Sequence, residues 1–143
     1  MLLGQLALVC AALFAGAALY ISAVEQAARL ALDDRSLLTE WKPAYKRGTL
    51  MQAPLAVTGL VFGALAWRET GTALWLAGGA LMIANLPVTF LIIWPTNSRL
   101  MATPIEEAGP MSRSMIRRWG ALHLIRTVLG ALATAVFVLA SAI

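Results

Sequence analysis

This chain of 143 residues is 60% hydrophobic and 13% charged with a net charge of +4, a balance that excludes an ordinary soluble globular domain. The basic residues flank apolar stretches, so the charge reads as a topology signal beside lipid headgroups, and no nucleic-acid partner is expected. One histidine, one cysteine and acidic residues placed mostly in loops leave no set of three or four metal ligands, so no metal is expected.

Four apolar stretches, Leu3 to Val24, Gly48 to Trp67, Ala73 to Trp94 and Trp119 to Ile143, are long enough at about 1.5 Å per residue to cross a hydrocarbon core of about 30 Å. The expected fold is all-α: a four-transmembrane-helix bundle built as two helical hairpins, forming one membrane domain over residues 1–143 with its partner the lipid bilayer. The first stretch lacks a basic leader and exceeds the apolar run of roughly 7 to 15 residues of a signal peptide, so it reads as a retained helix. Cys10 lies in its middle and reads as packing. Ser22, Glu25 and Arg29 fall on one side where this helix leaves the apolar region.

In the first loop, Asp33 or Asp34 can cap a short helix that sets Leu37, Leu38 and Trp41 on one face, a pattern suited to the headgroup region. Pro43 is expected to end it. Pro54 in the second span and Pro87 in the third should disturb their helices, with nearby polar side chains satisfying the freed carbonyls. Asn85 and Thr89 lie one turn apart beside Pro87. Gly16, Gly59, Gly63, Gly78, Gly79 and Gly130 should let helices approach closely. Sliding one half of the chain on the other aligns Gln52 with His123 and Arg47 with Arg118, a likeness of layout only. In the third loop, Thr103-Pro104-Ile105-Glu106 has the form of a capping box. Gly109-Pro110 interrupts it before a helix restarts and runs into the fourth span.

Basic residues set the expected orientation. The first loop carries Arg29, Arg35, Lys42, Lys46 and Arg47, the third carries Arg99, Arg113, Arg117 and Arg118, and the remaining side shows only Arg68. The positive-inside rule then places loops one and three in the cytoplasm and both termini on the opposite side, with a bacterial inner membrane as the expected location.

The fourth span opens with Trp119, His123 and Arg126 at i, i+4 and i+7 on one helix face. Ionisable groups inside a span are costly and usually face a cavity or a partner. At similar depth stand Glu25 and Asn97, so one cytoplasm-facing pocket could hold Glu25, Asn97, His123 and Arg126, with Trp119, Arg29, Asn85 and Thr89 as further binding residues. Structural alternatives stand beside each: an interfacial Glu25–Arg29 pair, Asn97 as a helix C-cap, Trp119 as part of an aromatic belt. The functional set suits proton abstraction from a carbon acid, with His123 as base, Glu25 orienting it, and Arg126 with Asn97 stabilising the oxyanion. A non-catalytic module binding a lipid, a quinone or a partner helix is the other reading, and a haem on His123 is a third without a supporting motif.

Pro95-Thr96-Asn97 followed by Leu100, Trp119-x3-His123-x2-Arg126, and the Glu25 to Arg29 stretch after the first span together resemble the anthrone oxygenase-like family of small membrane proteins. The run Glu25-Gln26-Ala27-Ala28-Arg29 departs from the pattern in lacking a proline between its charged ends. The resemblance implies a cofactor-independent oxygenase acting on an anthrone or another flat aromatic substrate. It implies deprotonation of a ring carbon, reaction of the anion with O2, and collapse of a peroxide to the quinone.

Overall fold

The computed structural model describes residues 2–143, and four helices account for most of them. They are α1 (Leu2–Leu30), α2 (Asp34–Thr70), α3 (Leu74–Ala102) and α4 (Pro110–Ser141), each long and apolar enough to cross a membrane. In the bundle α1 and α3 each pack against both α2 and α4, while the diagonal pairs meet far less. Large apolar side chains such as Leu13, Leu91, Val128 and Leu139 turn outward, as lipid-facing positions do.

Packing divides into two apolar clusters. One joins Phe14, Trp75, Met82 and Phe137 through a bed of alanines. Phe137 lies directly over Gly78, where a side chain of any size would meet its ring. A Cβ on Gly130 would stand 2.8 Å from Phe14, so this close approach requires glycine. Gly16 differs from the expectation: it is exposed and meets no neighbour within 4 Å.

The second cluster lies toward the basic end and is built from Leu37, Leu38, Trp41, Ile93, Leu100, Ile116 and Trp119. Here the expected surface segment is corrected. Leu37, Leu38 and Trp41 are fully buried, so their apolar face closes the end of the bundle and does not lie on the headgroups. Nor does Pro43 end that helix, because α2 runs unbroken from Asp34 through Pro43 and Pro54 to Thr70. Pro43 and Thr39, whose carbonyl it leaves without a helical partner, are both on the exposed side, where water can pair the freed group.

Local signals fix the connections. Asp33 caps α2 by accepting from the Ser36 backbone N–H at 3.0 Å. Hydrogen bonds from Ser36 hold its carboxyl below the usual carboxylate value. Gly71, at φ 73°, ends α2 with its N–H bonded to the Trp67 carbonyl. Arg113 bonds the Leu30 and Leu32 carbonyls and pairs with Asp34, tying α4 across the α1–α2 turn. Lys42 donates to the Met101 and Thr103 carbonyls where α3 ends, a favourable place for a cation.

The predicted capping box at Thr103 is absent. Its hydroxyl turns back to donate to the Arg99 carbonyl at 2.8 Å, and the following residues form a single 3₁₀ turn, Ile105–Glu107. The cap falls instead at Gly109, whose N–H donates to Ser112 Oγ at 3.0 Å as α4 begins.

Two helices are irregular at one level of the bundle. Ile21–Glu25 of α1 and Val88–Ile93 of α3 are π-helical. The second follows Pro87, and Asn85 serves it structurally: its Nδ2 donates to the Leu81 and Met82 carbonyls at 3.3 and 3.1 Å. Thr89 Oγ1 donates to the Asn85 carbonyl at 2.7 Å. Both side chains are thus spent on the backbone of their own helix around the proline.

Candidate functional site

Between the two apolar clusters lies a layer of buried polar side chains. His123, Asn97 and Gln52 are within 2% of complete burial, Arg29 is 3% exposed and Arg126 is 8% exposed. They line one small cavity together with Ile21, Glu25, Tyr45, Ile93 and Trp119. Both π-helical segments border it, through Ile21 and Glu25 on one side and Ile93 on the other. Such segments recur at functional sites because the wider turn re-aims side chains.

The histidine is held by a hydroxyl relay. Its Nδ1 stands 3.2 Å from Ser22 Oγ, Ser22 Oγ stands 2.9 Å from Thr127 Oγ1, and Thr127 Oγ1 donates to the Ala18 carbonyl at 3.2 Å. Each hydroxyl has one proton to give. Thr127 spends its proton on Ala18, so Ser22 donates to Thr127 and must accept from His123 Nδ1–H. For a neutral ring the relay therefore selects the Nδ1–H tautomer and leaves Nε2 as the basic nitrogen. Trp119 packs against the imidazole at 5.0 Å between centroids. Trp41 meets Trp119 edge-on and stacks flat on Tyr45, which completes an aromatic wall.

The two arginines have different partners. Arg29 Nη2 pairs with Glu25 at 2.8 Å, its Nε stands 3.0 Å from Glu40 Oε2, and its guanidinium lies 5.5 Å over the Trp119 ring. The Nε contact is one of charge without hydrogen-bond alignment. Arg126 donates to Gln52 Oε1 at 2.9 Å and packs over Phe14. Neither an amide oxygen nor an aromatic face carries a compensating charge, so Arg126 offers its positive charge to the cavity.

Of the residues singled out in the sequence, Glu25, Arg29, Asn97, Trp119, His123 and Arg126 gather around this cavity. Asn85 and Thr89 do not line it, being engaged with the α3 backbone. Asn97 is not a C-cap but sits inside the helical run Trp94–Ala102. Trp119 is buried and is no part of an exposed belt. Glu25 does not take the orienting place beside His123, since its carboxylate answers Arg29 and the histidine's partner is Ser22.

Sequence reasoning passed over Gln52 as a site residue. Its one signal was a lone amide in an otherwise apolar span, since a polar group placed there needs a partner. Among the described residues no three His, Cys, Asp or Glu side chains gather as a metal cluster.

These features define a small α-helical bundle of membrane-spanning type with a layer of buried polar side chains near one end. The chain belongs to the anthrone oxygenase family: the family model matches residues 41–136, a stretch that contains Gln52, Asn97, Trp119, His123 and Arg126. It is also similar to the anthrone oxygenase of Claviceps purpurea (strain 20.1), with 30% identity over 105 residues, 65% of this chain and 60% of that relative. The chain thus spans about three fifths of the length of that curated relative. No solved structure matches it.

Proposed function

We propose that this protein is a membrane-embedded oxygenase that oxidises a flat aromatic ketone of the anthrone type with O2 and without a cofactor. The observation that carries the reading is the relay from Ala18 through Thr127 and Ser22, which leaves His123 Nε2 as a base in a buried cavity beside an uncompensated guanidinium. His123 takes one proton from the ring methylene, and the electron pair moves onto the ketone oxygen. Arg126 and Asn97, both buried, stabilise that oxyanion.

The anion passes one electron to O2, and the two radicals combine to form a carbon–oxygen bond. After protonation of the peroxide, the second methylene hydrogen leaves as a proton and the O–O bond breaks. One oxygen atom stays as the new carbonyl and the other leaves as water. Substrate plus O2 thus gives quinone plus water, and no further reductant is needed. The ion pairs of Arg29 with Glu25 and Glu40 fix the π-helical end of α1 beside this site. In the same reading the basic ends of the helices face the cytoplasm of a bacterial inner membrane and both termini face away.

The test is oxygen consumption by the purified protein supplied with anthrone. Uptake matched one to one by anthraquinone, above the uncatalysed rate and unaffected by metal chelators, is expected. A rate no higher than the uncatalysed one would leave the second reading, a module that binds its ligand without turnover.

A further inference from the structure

The cavity is small, about 20 Å³, which is room for roughly one water-sized molecule. A three-ring substrate does not fit inside it. Next to it lies an open groove of about 550 Å³ between α1 and α2, walled by Ala17, Tyr20, Pro43 and Met51. Ile21, Glu25, Ala44 and Gly48 line both spaces, so the groove and the cavity meet at one threshold. There Gly48 leaves room: a Cβ on it would have only Ile21 Cδ1 near it, at 3.8 Å.

The cavity side of the threshold holds polar atoms without partners. Gln52 Nε2, both polar atoms of the Asn97 amide, and Arg126 Nε are buried and unbonded, although Gln52 and Asn97 are each only 1% exposed. Leaving such atoms unpaired costs about 1 to 3 kcal/mol each, a cost a bound oxygen atom would remove. The direction of the Gln52 amide follows from its neighbour. A guanidinium only donates, so Arg126 must face Oε1, and Nε2 is left as a donor.

We infer that one ligand occupies both spaces: its flat apolar rings lie in the α1–α2 groove, entered from the side of the bundle, and one carbonyl or enolate oxygen crosses the Gly48 threshold to accept from Gln52 and Asn97. This rests on the proposed function for the class of ligand and adds to it a route of entry and a specificity residue, Gln52. A molecule lacking an edge oxygen gains nothing at the amide pair. One with a bulky group beside that oxygen is stopped at Ile21 and Gly48.

Anthraquinone, which has the rings and the oxygen but no proton to lose, is the probe, and its binding is read by quenching of tryptophan fluorescence in the detergent-purified full chain. Gly48→Leu adds its side chain into open groove, and Gln52→Glu keeps a partner for Arg126 while replacing the donor by an acceptor. Both variants should therefore keep the wild-type thermal midpoint. Each is expected to weaken binding at least tenfold, whereas Ala121→Leu, on the exposed face of α4, leaves it unchanged. Wild-type affinity in Gly48→Leu or in Gln52→Glu would overturn the inference alone. Failure of the wild-type protein to bind anthraquinone would overturn it together with the proposed class of substrate. Phospholipid that stays bound under saturating anthraquinone would make the groove a lipid site and also overturn it.

Discussion

His123→Ala is expected to lower the turnover of anthrone at least about 100-fold, the usual contribution of a positioned general base, while leaving the protein folded. Removal of the imidazole empties a fully enclosed position but strands no hydroxyl, because Ser22 keeps its bond to Thr127 and Thr127 keeps Ala18. His123→Gln separates chemistry from packing. It refills most of the space and still offers an amide to Ser22, yet it has no basic nitrogen, so its rate should be as low as that of His123→Ala. Oxygen uptake and thermal unfolding measured on both variants check this. Near-wild-type turnover in the glutamine variant would remove His123 from the role of base.

The largest effect on stability is expected at Arg29, whose side chain is 2% exposed against 27% for Glu25 and 36% for Glu40. Removing one partner of a buried ion pair commonly costs about 3 to 5 kcal/mol because the remaining charge is left without compensation. Glu40 is partly solvated, so Arg29→Leu should fall near the lower end, about 3 kcal/mol. The leucine also removes the cation over Trp119. Arg29→Lys should recover only part of the loss, because an ammonium cannot hold two carboxylates with a planar fork. Thermal midpoints in one detergent, compared with the double variant Glu25→Gln/Arg29→Leu, would show the charge effect as partial rescue. Equal midpoints for wild type and Arg29→Leu would make the pair energetically idle.

The four spans were legible because length and hydropathy alone decide whether a helix can cross a bilayer. The face of α4 was legible for a similar reason: Trp119, His123 and Arg126 lie in regular α-helix, so their spacing places them on one side. On α1 the same reasoning brought Glu25 and Arg29 to the cavity but gave Glu25 and not Ser22 as the partner of the histidine. A π-helical turn over Ile21–Glu25 alters the angle between successive residues. Ser22 then reaches α4 while Glu25 borders the groove with α2. Nothing in the local sequence marks that turn, and Ser22 meets His123 across 101 positions of chain.

Pro43 misled for a different reason. Proline forbids one hydrogen bond, and on an exposed side of a long helix that loss is too small to stop it. Asn85 was a polar group in an apolar span like Gln52, and only packing tells them apart. Asn85 turns inward to its own backbone, whereas Gln52 pairs with Arg126 at the cavity. The apolar face of Leu37, Leu38 and Trp41 was visible as a face. What covered it depended on α3 and α4 closing over it.

The central claim is that His123 takes a carbon-bound proton from the substrate before O2 takes part. It is tested most directly by following exchange of the ring-methylene hydrogens of anthrone with deuterium from heavy water, under strict exclusion of O2. Wild-type protein should speed this exchange well above the buffer rate, and His123→Gln, verified as folded, should not. Exchange at the buffer rate with the wild-type protein, or equally fast exchange with His123→Gln, would contradict the account.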